Sequence, residues 1–317
     1  MRYTHFATLV LTLLGFAGFL GLKSQPWRES GGRSSVGPQQ HAEVSLQPSH
    51  EAVGSLVHDA IDPTVDQKFP LPPTSTHVDA FESVLRLAQD CYRNVNEIDD
   101  YSCVFIKRER INGQLNDREF VFAKVRHGVD SAKSIPAPFG VYLKFLAPGK
   151  MKGREILYVD GQNDGKIVFR KGGPRLAFLT GTIDPFSLAA MMGNRYPITE
   201  FGLKRLVERM IDLGQKEANS GQTNFRVLEN VTFEESGCYT CIEIDHAEQK
   251  PEFEFHLARI YVDPKIGVPV RFESYLWPES ADEPPPLMEE YTYTQLEFNV
   301  GLEAVDFDPQ NPKYGFR

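Results

Sequence analysis

The chain has 317 residues, of which 41% are hydrophobic and 24% are charged, and its 34 basic residues are outnumbered by 43 acidic residues. This composition excludes a collagen-like chain, a fully disordered chain and a polytopic membrane protein. The net charge of −9 argues against nucleic acid as a partner, because a protein that neutralises phosphates needs a basic surface. The length accommodates one globular domain with appendages, or two small domains.

The N-terminus predicts export. Residues Met1–His5 include one Arg and one His, and the stretch Phe6–Leu22 that follows is apolar and uncharged. A basic start followed by an apolar stretch is typical of an export signal. Its length is near the lower limit of about 17 residues for crossing a bilayer, so residues 1–22 are predicted to be either a cleaved signal peptide or a retained signal-anchor. The remainder is then exported, and is either periplasmic or anchored to the inner membrane facing the periplasm.

Residues 23–76 differ in composition from the rest of the chain. They contain 7 Pro, 8 Ser, 4 Gly and 5 Gln, and their only aromatic residues are Trp27 and Phe69. Such a stretch buries too little apolar surface to offset the loss of chain entropy, which predicts a disordered tether. The globular part is therefore predicted to be a single domain, residues 77–317.

The domain begins with a helix and continues with strands. Thr76 is placed to cap a helix whose apolar residues recur at helical spacing from Phe81 to Val95. From Tyr101 the apolar period becomes two, and Asn112-Gly113 predicts a two-residue hairpin turn between two strands.

Further strands and one long helix are predicted downstream. Asp184-Pro185 opens a short helical segment, and Thr199 is predicted to cap a helix running from Glu200 to Leu213. Several strands are apolar on both faces, so the sheet has to be covered on one side at least. The predicted strands are Tyr101–Arg110, Asp117–Val125, Gly140–Leu146, Arg154–Val159, Lys166–Arg170, Asn224–Glu229, Tyr239–Asp245, Glu254–Val262, Val268–Leu276 and Glu290–Phe298.

A search for catalytic and metal-binding motifs is mostly negative. The chain contains no G-x-S-x-G, P-loop, G-x-G-x-x-G or H-E-x-x-H motif. Asp160–Gly165 resembles the start of a calcium loop, but Lys171 occupies the position that requires a bidentate Glu, which favours a turn between strands. We predict no cofactor and no metal. If the protein were an enzyme, the turn Gly193–Pro197, with Asn194, Arg195 and the nearby Glu200, would be the place to look. Arg195 is nevertheless expected to pair with a carboxylate such as Glu200.

The four cysteines leave several interpretations open. Cys238-Tyr-Thr-Cys241 could belong to a zinc or redox site, but export shifts the expectation towards disulfides. The favoured pair is Cys91–Cys103, which would tie the end of the first helix to the first strand. Free buried thiols are the alternative.

Two short basic clusters are also ambiguous. Lys107–Arg110 and Lys150–Arg154 could meet an anionic membrane surface. The alternative, which we favour from sequence, is that both are solvated faces of strands.

Five stretches of the sequence are familiar together: Tyr101–Gly113, Gly153–Lys166, Met191–Leu203, Val268–Glu279 and Glu289–Leu302. Together they resemble an exported bacterial family catalogued as domain of unknown function 1571. The resemblance covers roughly Ala80–Phe316. It implies a fold similar to the half-barrels of outer-membrane lipoprotein carriers and related envelope stress regulators: an α+β fold with a curved antiparallel β-sheet covered by central helices and preceded by an N-terminal helix. The family has no established activity, so no catalytic residue is implied.

Three functional hypotheses follow. The first is a non-enzymatic envelope protein that holds an apolar ligand, such as a lipid or a lipoprotein acyl chain, between sheet and helices. The second is a membrane-anchored regulatory or adaptor module that binds a protein partner, and the third is a hydrolase without a linear motif. The side chains predicted to line a ligand cavity are Phe120, Phe122, Leu143, Phe145, Leu203, Leu206, Val207, Met210, Leu257 and Phe272.

Overall fold

The computed structural model describes residues 77–128, 137–218, 222–233, 237–280 and 282–316. The predicted signal or anchor and the predicted tether lie outside these residues. Within them the helices are α1 (His77–Asn96), the short α2 (Leu188–Met191) and α3 (Leu203–Ala218). Among the described residues, no helix is both long enough and apolar enough to cross a membrane.

The strands form one antiparallel sheet whose ends do not close on each other. The first and last strands pair at its centre, where Phe105 lies opposite Tyr293. The order is β7-β6-β5-β4-β3-β1-β12-β11-β10-β9-β8, with β2 paired to β1 beside this path. This confirms the predicted α+β fold with an open, half-barrel sheet. The strands are β1 (Asp100–Ile111), β2 (Gln114–Leu115), β3 (Glu119–Arg126), β4 (Gly140–Ala147), β5 (Glu155–Val159), β6 (Ile167–Arg170), β7 (Thr180–Ile183), β8 (Thr223–Val231), β9 (Tyr239–His246), β10 (Leu257–Asp263), β11 (Val268–Tyr275) and β12 (Leu287–Phe298).

The predicted hairpin turn is confirmed. Asn112 and Gly113 have φ angles of 50° and 81°, and they connect β1 to β2. Positive φ at both central positions is the geometry that favours Asn-Gly. Strand β7 was not predicted, because Thr180–Ile183 contains a glycine and shows no clear apolar alternation.

The helices cover one face of the sheet, which we call the helix-side face. In α1 the residues Val84, Ala88, Cys91 and Val95 recur at a spacing of three or four, so they share one stripe and are buried together. Val95 is fully inaccessible to solvent, and burial of a side chain of this kind contributes about 1.5–3 kcal/mol to the stability of the fold. The stripe packs against α3 and the strands in two apolar clusters.

The C-terminal segment covers part of the opposite, outer face. Phe307, Tyr314 and Phe316 form a cluster with Phe122 and Tyr142. The rings of Tyr142 and Tyr314 stack with centroids 3.9 Å apart. This explains why β3 and β4 are apolar on both faces: each face has its own cover.

The other half of the outer face carries a ladder of ion pairs across the strands. Arg259 bridges Glu243 at 2.7 Å and Glu273 at 3.7 Å, and Arg271 bridges Glu273 at 2.9 Å and Glu290 at 3.0 Å. Burial raises the pKa of Glu290, but the charges of Arg271 and Arg118 outweigh it, so the pKa is lowered. The acidic side chains of the ladder are thereby buried with their charges paired.

The start of α3 differs from the prediction. Thr199 lies in a single 3-10 turn, Ile198–Glu200, and α3 begins at Leu203. Gly202, at φ 112°, separates the two, and the N–H of Leu203 donates to the hydroxyl of Tyr101 at 3.0 Å. The helix terminus is thus capped by a residue of β1 rather than by a local side chain.

The predicted Cys91–Cys103 disulfide is absent from the structure, and this prediction is corrected. Both side chains are free thiols buried in the same apolar cluster, Cys241 is also free and buried, and Cys238 is free and exposed. Burial raises the pKa of Cys91 to about 12, and burial likewise raises the pKa of Cys103. The two thiols therefore act as small apolar side chains, in agreement with the alternative interpretation.

Candidate ligand-binding site

A cavity of about 640 Å³ lies between the helix-side face of the sheet and the chain from Pro185 to Leu213. Strands from both halves of the sheet contribute to it, so it spans the central β1–β12 pair. Most of its lining is apolar. The aliphatic, Met and Phe side chains that line it are Phe105, Val121, Leu143, Phe145, Ile156, Ile167, Ile198, Phe201, Leu206, Met210, Leu213, Ile260 and Phe272.

Aromatic rings form the central wall of this cavity. The ring of Phe105 lies 4.9 Å from those of Phe201 and Tyr293, centroid to centroid, and is stacked on Tyr291 at 5.8 Å. Tyr291 in turn stacks with Phe272 at 6.2 Å. Rings at these spacings stabilise one another.

Five of the ten predicted cavity residues line it: Leu143, Phe145, Leu206, Met210 and Phe272. In β4, Leu143 and Phe145 alternate towards the helix-side face. In α3, Leu206 and Met210 are one turn apart and face the sheet.

The other five do not line this cavity. Val121, rather than Phe122, pairs with Phe145, so Phe122 faces the outer side and packs under the C-terminal segment. Phe120 is buried, and the pairing of β3 with β4 is irregular between Phe120 and Val121. Leu257 alternates with Ala258 and Ile260, which occupy the helix-side cluster, and so faces away. Leu203 and Val207 are fully buried in the core beneath α3.

One end of the cavity is polar and contains Lys107. Its Nζ lies 2.6 Å from Asn194 Oδ1, 3.2 Å from Glu109 Oε2 and 3.5 Å from Glu119 Oε2. Lys107, Glu109 and Asn194 all line the cavity. A lysine held between carboxylates and an amide is neutralised locally, which makes its burial tolerable.

A second buried carboxylate, Glu289, is only 2% exposed and lies next to this group. The hydroxyls of Tyr196 and Tyr291 approach it at 3.0 Å, the Ser274 hydroxyl at 3.1 Å, and Arg195 Nε at 2.7 Å. Tyr291 also approaches Glu109 Oε1 at 2.6 Å. Because a phenol has one proton, Tyr291 donates to one of the two carboxylates at a time and links them.

The three polar residues predicted for the site, Asn194, Arg195 and Glu200, do not all face the cavity. Asn194 and Glu200 line the cavity, whereas Arg195 lies behind it, paired with Glu289. The expected pairing of Arg195 with Glu200 is wrong, and Glu200 instead lies 3.5 Å from Arg209 in a largely exposed pair. Arg209 also covers the ring of Tyr196 at 4.1 Å.

The electrostatics of this end keep its tyrosines neutral. Burial, and then the charges of Glu289 and Glu109, raise the pKa of Tyr291. Burial and Glu289 likewise raise the pKa of Tyr196 against the opposing charges of Arg209 and Arg195. Burial lowers the pKa of Arg195, but Glu289, Tyr196 and Tyr291 together outweigh burial, so the pKa is raised. The site thus offers neutral hydroxyls, an amide and paired charges, which are groups that orient a ligand by hydrogen bonds.

Four residues of the site were not predicted from the sequence: Glu109, Glu289, Tyr291 and Tyr293. One signal was present: Glu289, Tyr291 and Tyr293 alternate along β12 and therefore share a face. Their partners come from distant parts of the chain. Among the described residues, no group of three or more His, Cys, Asp or Glu side chains is arranged to hold a metal ion.

Solved structures with a similar arrangement are only distantly related. A putative outer membrane lipoprotein-sorting protein domain from Vibrio parahaemolyticus is 13% identical to this chain. The match covers 72% of this chain and 97% of the Vibrio chain, with a TM-score of 0.33. The lipoprotein LppX from Mycobacterium tuberculosis is 10% identical, with coverage of 72% and 99% and a TM-score of 0.37. The structure of the Pseudomonas aeruginosa MucA/MucB complex contains a chain that is 14% identical. That match covers 71% of this chain and 60% of the other chain, with a TM-score of 0.37. At these scores nothing about the activity of this chain follows.

Sequence comparison places the chain in a family. No curated protein matches it. The family model described as a protein of unknown function, DUF1571, matches residues 98–316, which is more than half of the chain. The protein therefore belongs to the DUF1571 family.

Proposed function

We propose that this protein is a non-enzymatic cell-envelope protein that binds an apolar ligand, such as the acyl chain of a lipid or lipoprotein, in the cavity between sheet and α3. The observation that carries the proposal is the cavity itself, about 640 Å³ in volume and lined mainly by apolar side chains. Ligand sites commonly measure about 300–1,000 Å³. The apolar part of such a cavity accepts hydrocarbon.

The polar end gives the ligand a direction. Lys107, Asn194 and Glu109 lie at the same end of the cavity, and Phe145, Ile156 and Ile167 contribute to its apolar part. An acyl chain would occupy the apolar part, with its ester or carboxyl group against the amide of Asn194 and the ammonium of Lys107. The export signal predicted in residues 1–22 supports an envelope location, where such ligands occur.

The test is a titration of residues 77–317 with a fluorescent fatty acid. The parent is expected to bind saturably, with one ligand per chain. Leu206→Trp fills the cavity from α3 and is expected to weaken binding at least about tenfold, which corresponds to about 1.4 kcal/mol. Leu146→Trp is the matched control, because Leu146 is a partly buried leucine of β4 that packs on the outer face. Absence of saturable binding, or equal binding by Leu206→Trp, contradicts the proposal.

A regulatory or adaptor role is the alternative. It is favoured by Phe186, Leu188 and Met192, which are largely exposed apolar residues on the segment that covers the cavity. Such residues are typical of a surface that meets a protein partner. An adaptor without a ligand predicts that the fatty acid titration fails while a partner protects this segment from proteolysis.

A further inference from the structure

Two neighbouring loops form a tip at one end of the sheet. The turn 148–154 connects β4 to β5, and the loop 171–179 connects β6 to β7. The N–H of Gly173 donates to the carbonyl of Lys152 at 2.9 Å. A Cβ on Gly172 would lie 2.2 Å from the Met151 carbonyl oxygen, so the two backbones are in direct contact there. We call these two loops the basic tip.

Large apolar side chains protrude from the basic tip. Phe178 is 72% exposed and Leu176 is 44% exposed. The loop that carries them is held by hydrogen bonds, from Lys171 N–H to the Leu179 carbonyl at 2.9 Å and from Leu179 N–H to the Leu176 carbonyl at 3.0 Å. The apolar groups are therefore presented to solvent by a structured loop. Exposed apolar residues grouped in this way mark an interaction site.

Basic side chains surround these apolar residues. Lys150, Lys152, Lys171 and Arg175 are all exposed on the same two loops. Lys150 lies 3.0 Å from Asp117, but both side chains are about 70% exposed, so this pair is well screened by water. The tip is thus locally positive on a chain whose net charge is −9.

We propose that the basic tip docks on an anionic lipid bilayer. Phe178 and Leu176 would enter the interfacial layer, and the surrounding Lys and Arg side chains would contact lipid phosphates and carboxylates. Protruding apolar residues with a cationic rim match a surface that is anionic outside and apolar beneath. An acidic protein partner would complement the charge but has no apolar layer into which single side chains insert.

The basic tip also adjoins the cavity. Arg154 ends the first loop and lines the cavity, with its guanidinium 5.5 Å from the ring centre of Phe145. Docking through the tip would therefore bring this end of the cavity towards the bilayer. That consequence rests on the proposed ligand-binding function, whereas docking itself does not.

The test uses the full chain with phosphatidylcholine vesicles, either alone or with roughly one third phosphatidylserine, the lipid that gives membranes a negative surface. Amide hydrogen exchange, read by mass spectrometry over residues 172–179, reports on the tip alone. Binding of the apolar N-terminal stretch to the vesicles is therefore not mistaken for docking of the tip. The exchange of these amides is expected to slow on anionic vesicles by at least about fivefold relative to neutral vesicles, which is the effect of one basic residue near such a surface.

Two double variants separate the components. Leu176→Ser with Phe178→Ser removes the inserting groups, and Lys171→Glu with Arg175→Glu reverses the charge; both are expected to abolish the slowing. The matched control is Lys265→Glu with Ile266→Ser, an exposed basic and apolar pair outside the tip, which is expected to leave it unchanged. Unchanged exchange in β1 verifies that each variant is folded.

Slowed exchange confined to anionic vesicles and lost in both tip variants supports the proposal. Equal exchange with and without vesicles overturns it and leaves a protein partner for the tip. Equal slowing on neutral and anionic vesicles, or slowing that survives in both tip variants, also overturns it. Failure of the fatty acid titration has no bearing on these outcomes, because the cavity is not measured here.

Discussion

The hydroxyl of Tyr101, in the first strand, accepts a hydrogen bond from the backbone N–H of Leu203, the first residue of α3, at 3.0 Å. Both residues are fully buried. Gly202 allows the approach, because a Cβ there would lie 2.9 Å from that hydroxyl oxygen. The contact fixes the start of the helix that forms one wall of the cavity to the centre of the sheet.

Tyr101→Phe is expected to destabilise the domain by about 1–3 kcal/mol, because it leaves a buried N–H without an acceptor. The measurement is the free energy of unfolding in urea. Tyr158→Phe is the control, since the Tyr158 hydroxyl makes only a long contact of 3.3 Å, to the exposed Asp160. Equal stability of Tyr101→Phe and the parent would show that Leu203 is satisfied in another way.

Gly113→Val is expected to destabilise the domain by about 1 kcal/mol or more, because a β-branched residue is strained at positive φ. A Cβ on Gly113 would meet no atom within 4 Å, so the effect is expected from backbone strain rather than from a clash. Gly113→Asn is the matched variant, since Asn tolerates this conformation, and it should melt close to the parent. If Val and Asn had the same effect on the melting temperature, strain would not be the cause.

Stability is expected to fall as pH falls below about 6.5, partly because of His127. Burial lowers its pKa from 6.5, as does Lys204, against the Ile98 carbonyl, Glu208 and Asp100, which raise it. The unfolded chain therefore takes up a proton at a pH where the folded chain does not, which costs up to about 1.4 kcal/mol of stability per pH unit.

His127→Asn retains a donor for the Ile98 carbonyl, which His127 Nδ1 contacts at 2.8 Å, but does not titrate. Urea unfolding at about pH 7.5 and about pH 5.5 should show a smaller difference for the variant than for the parent. An identical difference in the two proteins would exclude His127 as a source.

The export prediction is tested by a reporter enzyme that is active only outside the cytoplasm, fused after Thr76. Residues 1–76 are expected to export it, because the Phe6–Leu22 stretch follows a basic start. Deletion of residues 6–22 is the control and should abolish activity. An inactive fusion that stays in the cytoplasm would contradict the envelope location.

Local patterns predicted the elements of the fold. The period of two in β1, the Asn112-Gly113 turn and the apolar stripe of α1 each depend on neighbouring residues, and all three are found in the structure. The start of α3 was misplaced, because its cap is Tyr101, which lies far away in the chain.

Half of the cavity residues could not be predicted, since strands with two apolar faces do not reveal which face meets the helices. Whether Phe122 or Val121 faces the cavity depends on the pairing of Val121 with Phe145 and on a cover supplied by Phe307 and Phe316. The polar end likewise depends on pairings between distant strands, such as Glu109 opposite Glu289 in β1 and β12.

Native mass spectrometry of the protein expressed as the full chain and purified from bacterial envelopes tests the central claim most directly. The account predicts one lipid or fatty acid per chain, released on unfolding, and its loss in Leu206→Trp but not in Leu146→Trp. A parent chain whose native mass equals that of the polypeptide alone, and which also fails to take up added fatty acid, would contradict the claim that the cavity holds an apolar ligand.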